Sequence, residues 1–428
     1  MDREIANYLQ DISGPGIKLG LERIERLLQG LGHPQAGMKV IHIAGTNGKG
    51  STALIISSVL TEAGYRTGSF TSPHLHTYRE RISIDGQPIA GTTFLSYLDK
   101  VRAVVEVMKR EKADIPTEFE VLTAVALRYF ADEMVDVVVL EVGMGGRYDS
   151  TNVVYPLAAV ITRVERDHVA YLGQTLGEIA YNKAGIIKAG ADVVIGEIGS
   201  EALSVIMDEC QNLGAHPWKV AEYVRLSVLE PCHLQGWNVD IQALGLELQD
   251  VFFSLPGTYQ LDNLRSALLV ISLLRGEGWK LGETAIRRAL GSLKWPGRLE
   301  VVHDDPLVLI DAAHNPDGVR ALAVAVEQLM PARSRVLVCG IVDDKEAGEM
   351  LPGLSDLTRV CVITRPRGER SRNWRDKIML AQEFFPAVLV EESIEKALER
   401  ALRECRNDEY VLVTGSFYIL DAVRQYFT

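Results

Sequence analysis

Cysteine pairing is the first thing this 428-residue sequence lacks. Its five cysteines (Cys210, Cys232, Cys339, Cys361 and Cys405) are odd in number, scattered and never spaced as CxxC. That argues against a disulfide framework and against a structural zinc site, and it fits a reducing compartment. Long apolar runs are missing too: none approaches the ~18 residues of a membrane span. The opening stretch MDREIANYLQ has early acids and no signal-peptide core. Positive charge is in deficit, with 45 basic against 57 acidic residues. A nucleic-acid backbone is therefore a poor partner, although a local cluster of donors can still hold a small anion. Repeats and low-complexity tracts are absent. What remains is an ordinary globular mix, 47% hydrophobic and 24% charged, long enough for two or three domains and a large core. A cytoplasmic protein without membrane or nucleic-acid partners is expected.

The patterning predicts α/β architecture. GLERIERLLQGLG (20–32) has apolar residues at helical spacing and ends in glycine. MKVIHIAG (38–45), DVVVLEVG (136–143) and LAAVITRV (157–164) read as buried parallel strands, and STALIISSVLTEAG (51–64) as a helix closed by glycine. Between Lys219 and Gly257, short alternating stretches predict a small β-rich part. A helix follows over YQLDNLRSALLVISLL (259–274). Trp295-Pro296-Gly297 breaks both helix and strand and reads as a linker. Beyond it, strands and helices alternate from LVLID (307–311) to FYILDAVRQY (417–426), a second, Rossmann-like α/β domain. The expected domains are 1–296, carrying a P-loop ATP-binding region, and 297–428.

The string with the most chemistry is HIAGTNGKGST, His42 to Thr52, which follows a strand and opens a helix. Gly45, Gly48 and Gly50 allow close backbone approach, and the N–H groups of Thr46, Asn47 and their neighbours at a helix N-terminus face an anion. Lys49 adds a point charge for the β- and γ-phosphates of ATP, and a hydroxyl from Ser51 or Thr52 reaches Mg2+. The string departs from the common G-x-x-x-x-G-K-[ST] form, because Gly50 separates Lys49 from Ser51. A glycine-rich turn without a ligand is the competing reading of these residues alone.

AGTNGKGS closely resembles the phosphate loop of the folylpolyglutamate synthase and dihydrofolate synthase family, within the Mur ligase superfamily. So do TSPHLHTYRERISIDG (71–86), TEFEVLTAVALRYF (117–130), LEVGMGGRYDSTN (140–152) and DHVAYLGQTLGEIAYNKAGIIK (167–188). GTYQLDN (257–263), WPGRLE (295–300), DAAHNPDG (311–318) and VTGSFY (413–418) complete the family order over nearly the whole chain.

The resemblance implies roles residue by residue. Glu141 and His168 would hold Mg2+ together with Ser51 and Ser72. In place of the small or apolar residues usual before the Asp-His pair, this chain has Glu165-Arg166. Lys183 matches a lysine that can be carbamylated, and His314 one that faces the reaction, so Lys49, Lys183 and His314 form the catalytic set. Asn263, Arg298 and Asp311 would touch the nucleotide, sandwiched between the domains. Ser72, Pro73, Thr117 and Phe119 would line the folate site, with Glu120 in the same segment. Arg79, Glu80 and Arg81 beside it read equally well as a solvated turn. The run Arg365 to Lys377, six basic and two acidic residues, is either a solvated loop or an arm that attracts a polyanionic glutamate tail.

The implied activity is ATP-dependent ligation of L-glutamate to a folate, and to dihydropteroate, through an acyl phosphate. ATP and Mg2+ are the expected cofactors, and a monomer acting on small molecules is expected. One alternative is a Mur-type ligase acting on a UDP-sugar peptide, although only about 40 residues precede the strand into the phosphate loop. Another is a nucleotide-gated binding protein without ligase chemistry, for which the set Glu141, His168 and Lys183 has no use.

Overall fold

The structure, a computed structural model, describes residues 2–12, 18–231 and 233–427. Cys232 lies outside them, and the other four cysteines are free thiols. The chain divides into two compact units. The first comprises Met1–Ser227, Val239–Val251 and Asp262–Leu293, and the second Val228–Asn238, Phe252–Leu261 and Lys294–Thr428.

The first unit is built on strands β1 (Val40–Ala44), β2 (Thr67–Phe70), β3 (Ile82–Ile84), β4 (Gln87–Pro88), β5 (Val137–Glu141), β6 (Ala158–Ile161), β7 (Asp192–Ile195) and β8 (His216–Lys219). They form one sheet in the order β4-β3-β2-β5-β1-β6-β7-β8. From β2 to β8 the neighbours are parallel, while β3 and β4 add an antiparallel edge. Every residue of β1, β5 and β6 is buried, which is why these strands read as unbroken apolar runs. From β1 the chain turns back to β2 on one side, and from β6 it goes on to β7 on the other. The sheet therefore changes winding direction between β1 and β6, the place where open α/β sheets form their ligand crevices.

Helix Lys49–Glu62 leaves β1 and packs against helix Glu283–Ser292 and strands of the sheet. Ile55, Ile56, Val59 and Leu60 are buried on it together with Ser51 and Thr52, so apolar and small residues surround it. On the other side Ile5, Leu9, Ile24, Leu27 and Leu28 join Phe94, Leu98 and Val125 in a separate core cluster.

Strands β9 (Arg225–Pro231), β10 (Trp237–Ala243) and β11 (Leu246–Phe253) form a three-stranded sheet within the stretch expected to be β-rich. The second unit carries β12 (Glu300–Asp304), β13 (Leu307–Ile310), β14 (Arg335–Cys339), β15 (Thr358–Thr364), β16 (Val388–Glu391) and β17 (Tyr410–Thr414). Their order is β12-β13-β17-β14-β15-β16, parallel except for β12. The compact-unit break differs from the expected boundary at 296/297. Leu234 and Tyr259, far upstream of the linker, pack on the core of the second unit beside Leu299 and Leu309.

The basic run Arg365 to Lys377 meets acidic side chains in the fold. Each of its six basic residues has a carboxylate partner: Arg365 and Arg375 on Glu392, Arg367 on Glu395, Arg370 on Asp344, Arg372 on Glu369 and Lys377 on Asp343. Among the described residues, no helix is long and apolar enough to cross a membrane.

Candidate active site

The phosphate loop leaves the C-terminal end of β1, the central strand of the first sheet. Its helix begins at Lys49, two residues earlier than the sequence pattern suggests, with Gly48 as N-cap at φ 88°. Gly48 meets two demands at once. Its positive φ is strained for a side chain, and a Cβ there would stand 2.2 Å from Asn263 Oδ1. The loop is clamped from β6: Thr46 N donates to Arg163 O at 2.7 Å, and Thr162 Oγ1 donates to Asn47 O at 2.7 Å. Thr46 Oγ1 lies 3.0 Å from both Glu165 O and Glu165 N. Residues 162–165 thus hold the loop from the side, so Glu165, the departure noted before Asp-His, contributes its backbone here. Lys49 Nζ folds back on the loop and donates to Gly45 O (3.0 Å) and Thr46 O (3.3 Å).

Glu141 ends β5, opposite Ile43 of β1. It is 3% exposed, so its charge must be met, and its Oε2 accepts the Ser72 N–H at 3.0 Å. That bond joins the Thr71–His74 loop to the metal candidates. The rest of that loop is held by Arg79, Glu80 and Arg81, which are far from a merely solvated turn. Glu80 accepts from Leu75 N, His76 N and Thr77 N, Arg81 Nε donates to His74 Nδ1 at 2.9 Å, and Arg79 pairs with Asp2. Burial, with the Arg81 charge second, pushes the His74 pKa down to about 3.

His168 takes a left-handed conformation, φ 49°, at the head of a short helix. Its ring Nε2 lies 3.9 Å from Asp167 Oδ2. Lys183 is 2% exposed on helix Leu176–Ala184. Burial, then the Lys49 charge, pulls its pKa down to about 7, against a smaller upward pull from Asp167. Gly146 lets the loop after β5 press on this helix, because a Cβ there would meet Asn182 O and Lys183 O at 2.9 Å.

The fit to Mg2+ rests on chemistry. Glu141 offers a carboxylate, and Ser51 and Ser72 offer hydroxyls, all hard oxygen donors. Among the described residues no three His, Cys, Asp or Glu side chains gather as a metal cage. Mg2+ asks for only one or two protein carboxylates, with phosphate oxygens and water completing its shell.

Two of the folate-site candidates have work within the fold. Thr117 caps helix Glu118–Asp132: its Oγ1 accepts the Glu120 N–H at 3.3 Å, and Glu120 Oε2 accepts the Thr117 N–H at 2.6 Å. Glu120 also carries the buried ion pair to Arg23. The half-buried Phe119 ring lies 5.6 Å from Phe70 and fills the space where a Gly143 side chain would be. Pro73 is exposed at the head of its loop.

The second unit gathers the remaining candidates around Phe417. The Arg298 guanidinium lies 4.7 Å from that ring, and the His314 ring 5.8 Å from it. His314 Nδ1 is 2.8 Å from Ala312 O. A carbonyl only accepts, so the ring proton sits on Nδ1. Asp311 is buried and already serves three donors: Tyr259 OH and Leu299 N, each at 3.0 Å from Oδ2, and Ala313 N at 2.8 Å from Oδ1. Burial raises its pKa against the Arg298 charge, and the same burial raises that of Tyr259 well above the usual phenol value. Tyr259 lies within the GTYQLDN string, but nothing local to it signals its bond to Asp311, 52 residues away. The hydrogen bonds of His42, Asp149 and Thr151 are likewise visible only in three dimensions.

Residues 43–271 match the Mur ligase middle domain, and residues 297–417 the Mur ligase glutamate ligase domain. The dihydrofolate synthase/folylpolyglutamate synthase of Bacillus subtilis strain 168 is 36% identical over 416 residues, covering 96% of this chain and 95% of that protein. The Mycobacterium tuberculosis folylpolyglutamate synthase solved with ADP and AMPPCP is 33% identical, with a TM-score of 0.91 over 100% of this chain and 98% of that one. The Escherichia coli protein solved with DHPP and ADP is 30% identical, with a TM-score of 0.87 and coverage of 99% and 97%. The chain belongs to the folylpolyglutamate synthase/dihydrofolate synthase family of the Mur ligases, and is an ATP-dependent ligase of the Mur-type α/β fold.

Proposed function

We propose that the protein joins L-glutamate to the terminal carboxylate of a folate, and also to dihydropteroate, through an acyl phosphate. A carboxylate oxygen is a poor leaving group, so the acid must be activated before an amine can displace it. The γ-phosphoryl of ATP passes to the carboxylate oxygen and ADP leaves. The glutamate amine then adds to the acyl carbon, loses a proton, and expels phosphate to leave the amide. The phosphate loop from Gly45 to Thr52 binds the nucleotide through its N–H groups. Lys49, now resting on two carbonyls of its own loop, turns to the phosphates and stabilises charge in transfer. Glu141, Ser51, Ser72 and His168 would hold Mg2+, which neutralises phosphate charge when bound. Asn263, Arg298 and Asp311 are assigned to the nucleotide, and His314 to the reacting groups. Ser72, Pro73, Thr117 and Phe119 are assigned to the folate on the resemblance alone.

Lys183 has a specific chemical fit to its expected modification. At a pKa of about 7 a large share of its amine is neutral at physiological pH, and a neutral amine is what adds to carbon dioxide. The product is an anion after loss of one proton. That anion meets the Lys49 charge as attraction where the ammonium met it as repulsion.

The single observation that carries this reading is Lys49 and the glycine turn at the head of a buried helix, flanked by the buried carboxylate of Glu141 on the adjacent strand. A cytoplasmic monomer fits the scattered thiols and the small-molecule substrates. The test is ADP release with Mg2+, ATP, L-glutamate and either tetrahydrofolate or dihydropteroate, with the products weighed. Release that needs glutamate and one pterin acid, with a mass gain of one glutamyl residue, supports the reading. Release indifferent to both organic substrates makes the chain a nucleotide-driven binder. Activity with a UDP-sugar peptide alone moves it to the cell-wall ligases.

A further inference from the structure

Beneath the phosphate loop runs a buried chain of hydrogen bonds that the scheme above does not use. His42, in the middle of β1, has no exposed surface, and its Nε2 lies 2.9 Å from Thr151 Oγ1. Thr151 is equally buried. Its hydroxyl donates to Asp149 Oδ1 at 2.6 Å, and its backbone N–H donates to the same oxygen at 3.0 Å. Asp149 Oδ2 accepts the Met144 N–H at 2.9 Å. The chain thus runs from the strand that feeds the phosphate loop to the turn just after Glu141.

The protons along it can be placed. A hydroxyl has one proton, and Thr151 gives it to Asp149. The contact with His42 therefore has the imidazole Nε2–H as donor and Thr151 Oγ1 as acceptor, which leaves the lone pair on Nδ1. Among the described residues that nitrogen has no hydrogen-bond partner. The ring stays neutral: burial, with the Lys188 charge second, pushes its pKa down to about 3. An unsatisfied ring nitrogen in a core is costly. For packing alone an apolar side chain would serve this position better, so what His42 adds is its Nε2–H.

Sheet pairing sets Ile43 opposite Glu141, but it fixes only the strands. The chain leaves the sheet after Glu141 and makes the loop containing Gly143, Gly145 and Gly146, and Asp149 gathers that loop. We propose that His42 is a positioning residue: through Thr151 and Asp149 it anchors the loop after Glu141 to the strand leading into the phosphate loop, and so sets the Glu141 carboxylate relative to Lys49. The proposal rests on the ligase reading for its kinetic consequences, but not for the hydrogen bonds themselves.

The experiment compares His42→Leu, His42→Gln, Thr151→Val and the double variant His42→Leu/Thr151→Val with the unmodified full chain. Residues that orient a metal ligand typically change metal affinity or activity by about 10–100-fold when removed. His42→Leu and Thr151→Val should each lower kcat and raise the Mg2+ concentration for half activity, on the order of 10-fold, while the KM for glutamate stays put. His42→Gln keeps an amide N–H near the place of Nε2 and should recover most of the loss. The double variant should be little worse than either single one, because both cut the same chain. A second readout needs no turnover. Long-range 1H–15N spectra of histidine-labelled protein should show one ring protonated at Nε2 with its lone pair on Nδ1, and Thr151→Val should move that signal. Folded single variants with unchanged kcat and Mg2+ dependence, additive losses in the double variant, or a ring protonated at Nδ1 would each overturn the proposal. Where His42→Leu fails to fold, His42→Gln and the nearly isosteric Thr151→Val decide it. A wild-type chain that releases no ADP with folate and glutamate would sink the ligase reading instead, and the spectra would still judge the hydrogen-bond chain.

Discussion

The two units treat charge at their strand ends in opposite ways. At the strand ends of the first, Lys49 is held against loop carbonyls, and the buried Lys183 feels its charge strongly enough to help bring its pKa to about 7. At the strand ends of the second, charge is met on the spot. Asp311 has three donors, and each basic residue of the 365–377 run has a carboxylate. A cluster of like charges in a core is unfavourable until an anion enters it. On the proposed function the first region is where a polyanion would enter, whereas the second has its charges balanced by its own fold.

The strongest way to break that comparison is Lys49→Ala. If the ammonium is kept for a transferring phosphoryl group, its loss should lower kcat by about 10²–10³-fold, the usual effect of deleting one such donor. The urea midpoint should hardly move, since no paired charge is left behind. A variant with a near-normal rate would remove Lys49 from the chemistry.

Lys183 gives a pH test of the same contrast. Its folded pKa of about 7 lies below the ordinary 10.5, so between those values the unfolded chain binds a proton that the folded one has released. Stability therefore rises with pH across that window, and the cost of the buried ammonium is fully present below about 7. Compared with Lys183→Met, the wild type should gain stability from pH 7 to 9.5, on the order of a few kcal/mol. Urea midpoints in carbon dioxide-free buffer check it. Parallel curves for the two proteins would mean the amine is not strained.

In the second unit the expectation reverses, with a change in stability larger than any change in rate that follows from it. Asp311→Ala leaves Tyr259 OH, Leu299 N and Ala313 N without their acceptor, which should cost about 1–3 kcal/mol, read from urea unfolding. A variant of unchanged stability with a raised KM for ATP would show that Asp311 is kept for the nucleotide more than for the fold.

How much of this was legible follows from distance along the chain. The phosphate loop, Glu141 at a strand end and the strand-to-helix order are local patterns, and their physics is written in neighbouring residues. Strand β2, Thr67–Phe70, gave no signal, because Thr-Gly-Ser-Phe becomes a strand only between β3 and β5. The His42–Thr151 contact joins residues 109 apart, and Tyr259–Asp311 residues 52 apart. Such pairs have no periodicity to read. The same holds for Thr117, whose place in a folate-like string is matched by a second use as a helix cap.

The smallest effect belongs to the basic run, and it tests the comparison from the other side. As a string, Arg365 to Lys377 has an excess of four positive charges, and a polyanionic tail is the obvious guest. The fold brings Glu392, Glu395, Asp343 and Asp344 to it from other parts of the chain, so the excess disappears locally. Arg367 shows the balance well. It is paired with Glu395 at 2.9 Å with more than half of its side chain exposed, and exposed pairs of this kind are worth about 0–1 kcal/mol. Arg367→Ala should change stability by about 0.5 kcal/mol or less. It should also leave the KM ratio between a polyglutamylated and a monoglutamylated folate unchanged at physiological salt. A ratio that rises several-fold in the variant, and more steeply at low salt, would mean that the tail competes with Glu395 for the guanidinium. The second unit would then hold a charge in reserve for a ligand after all.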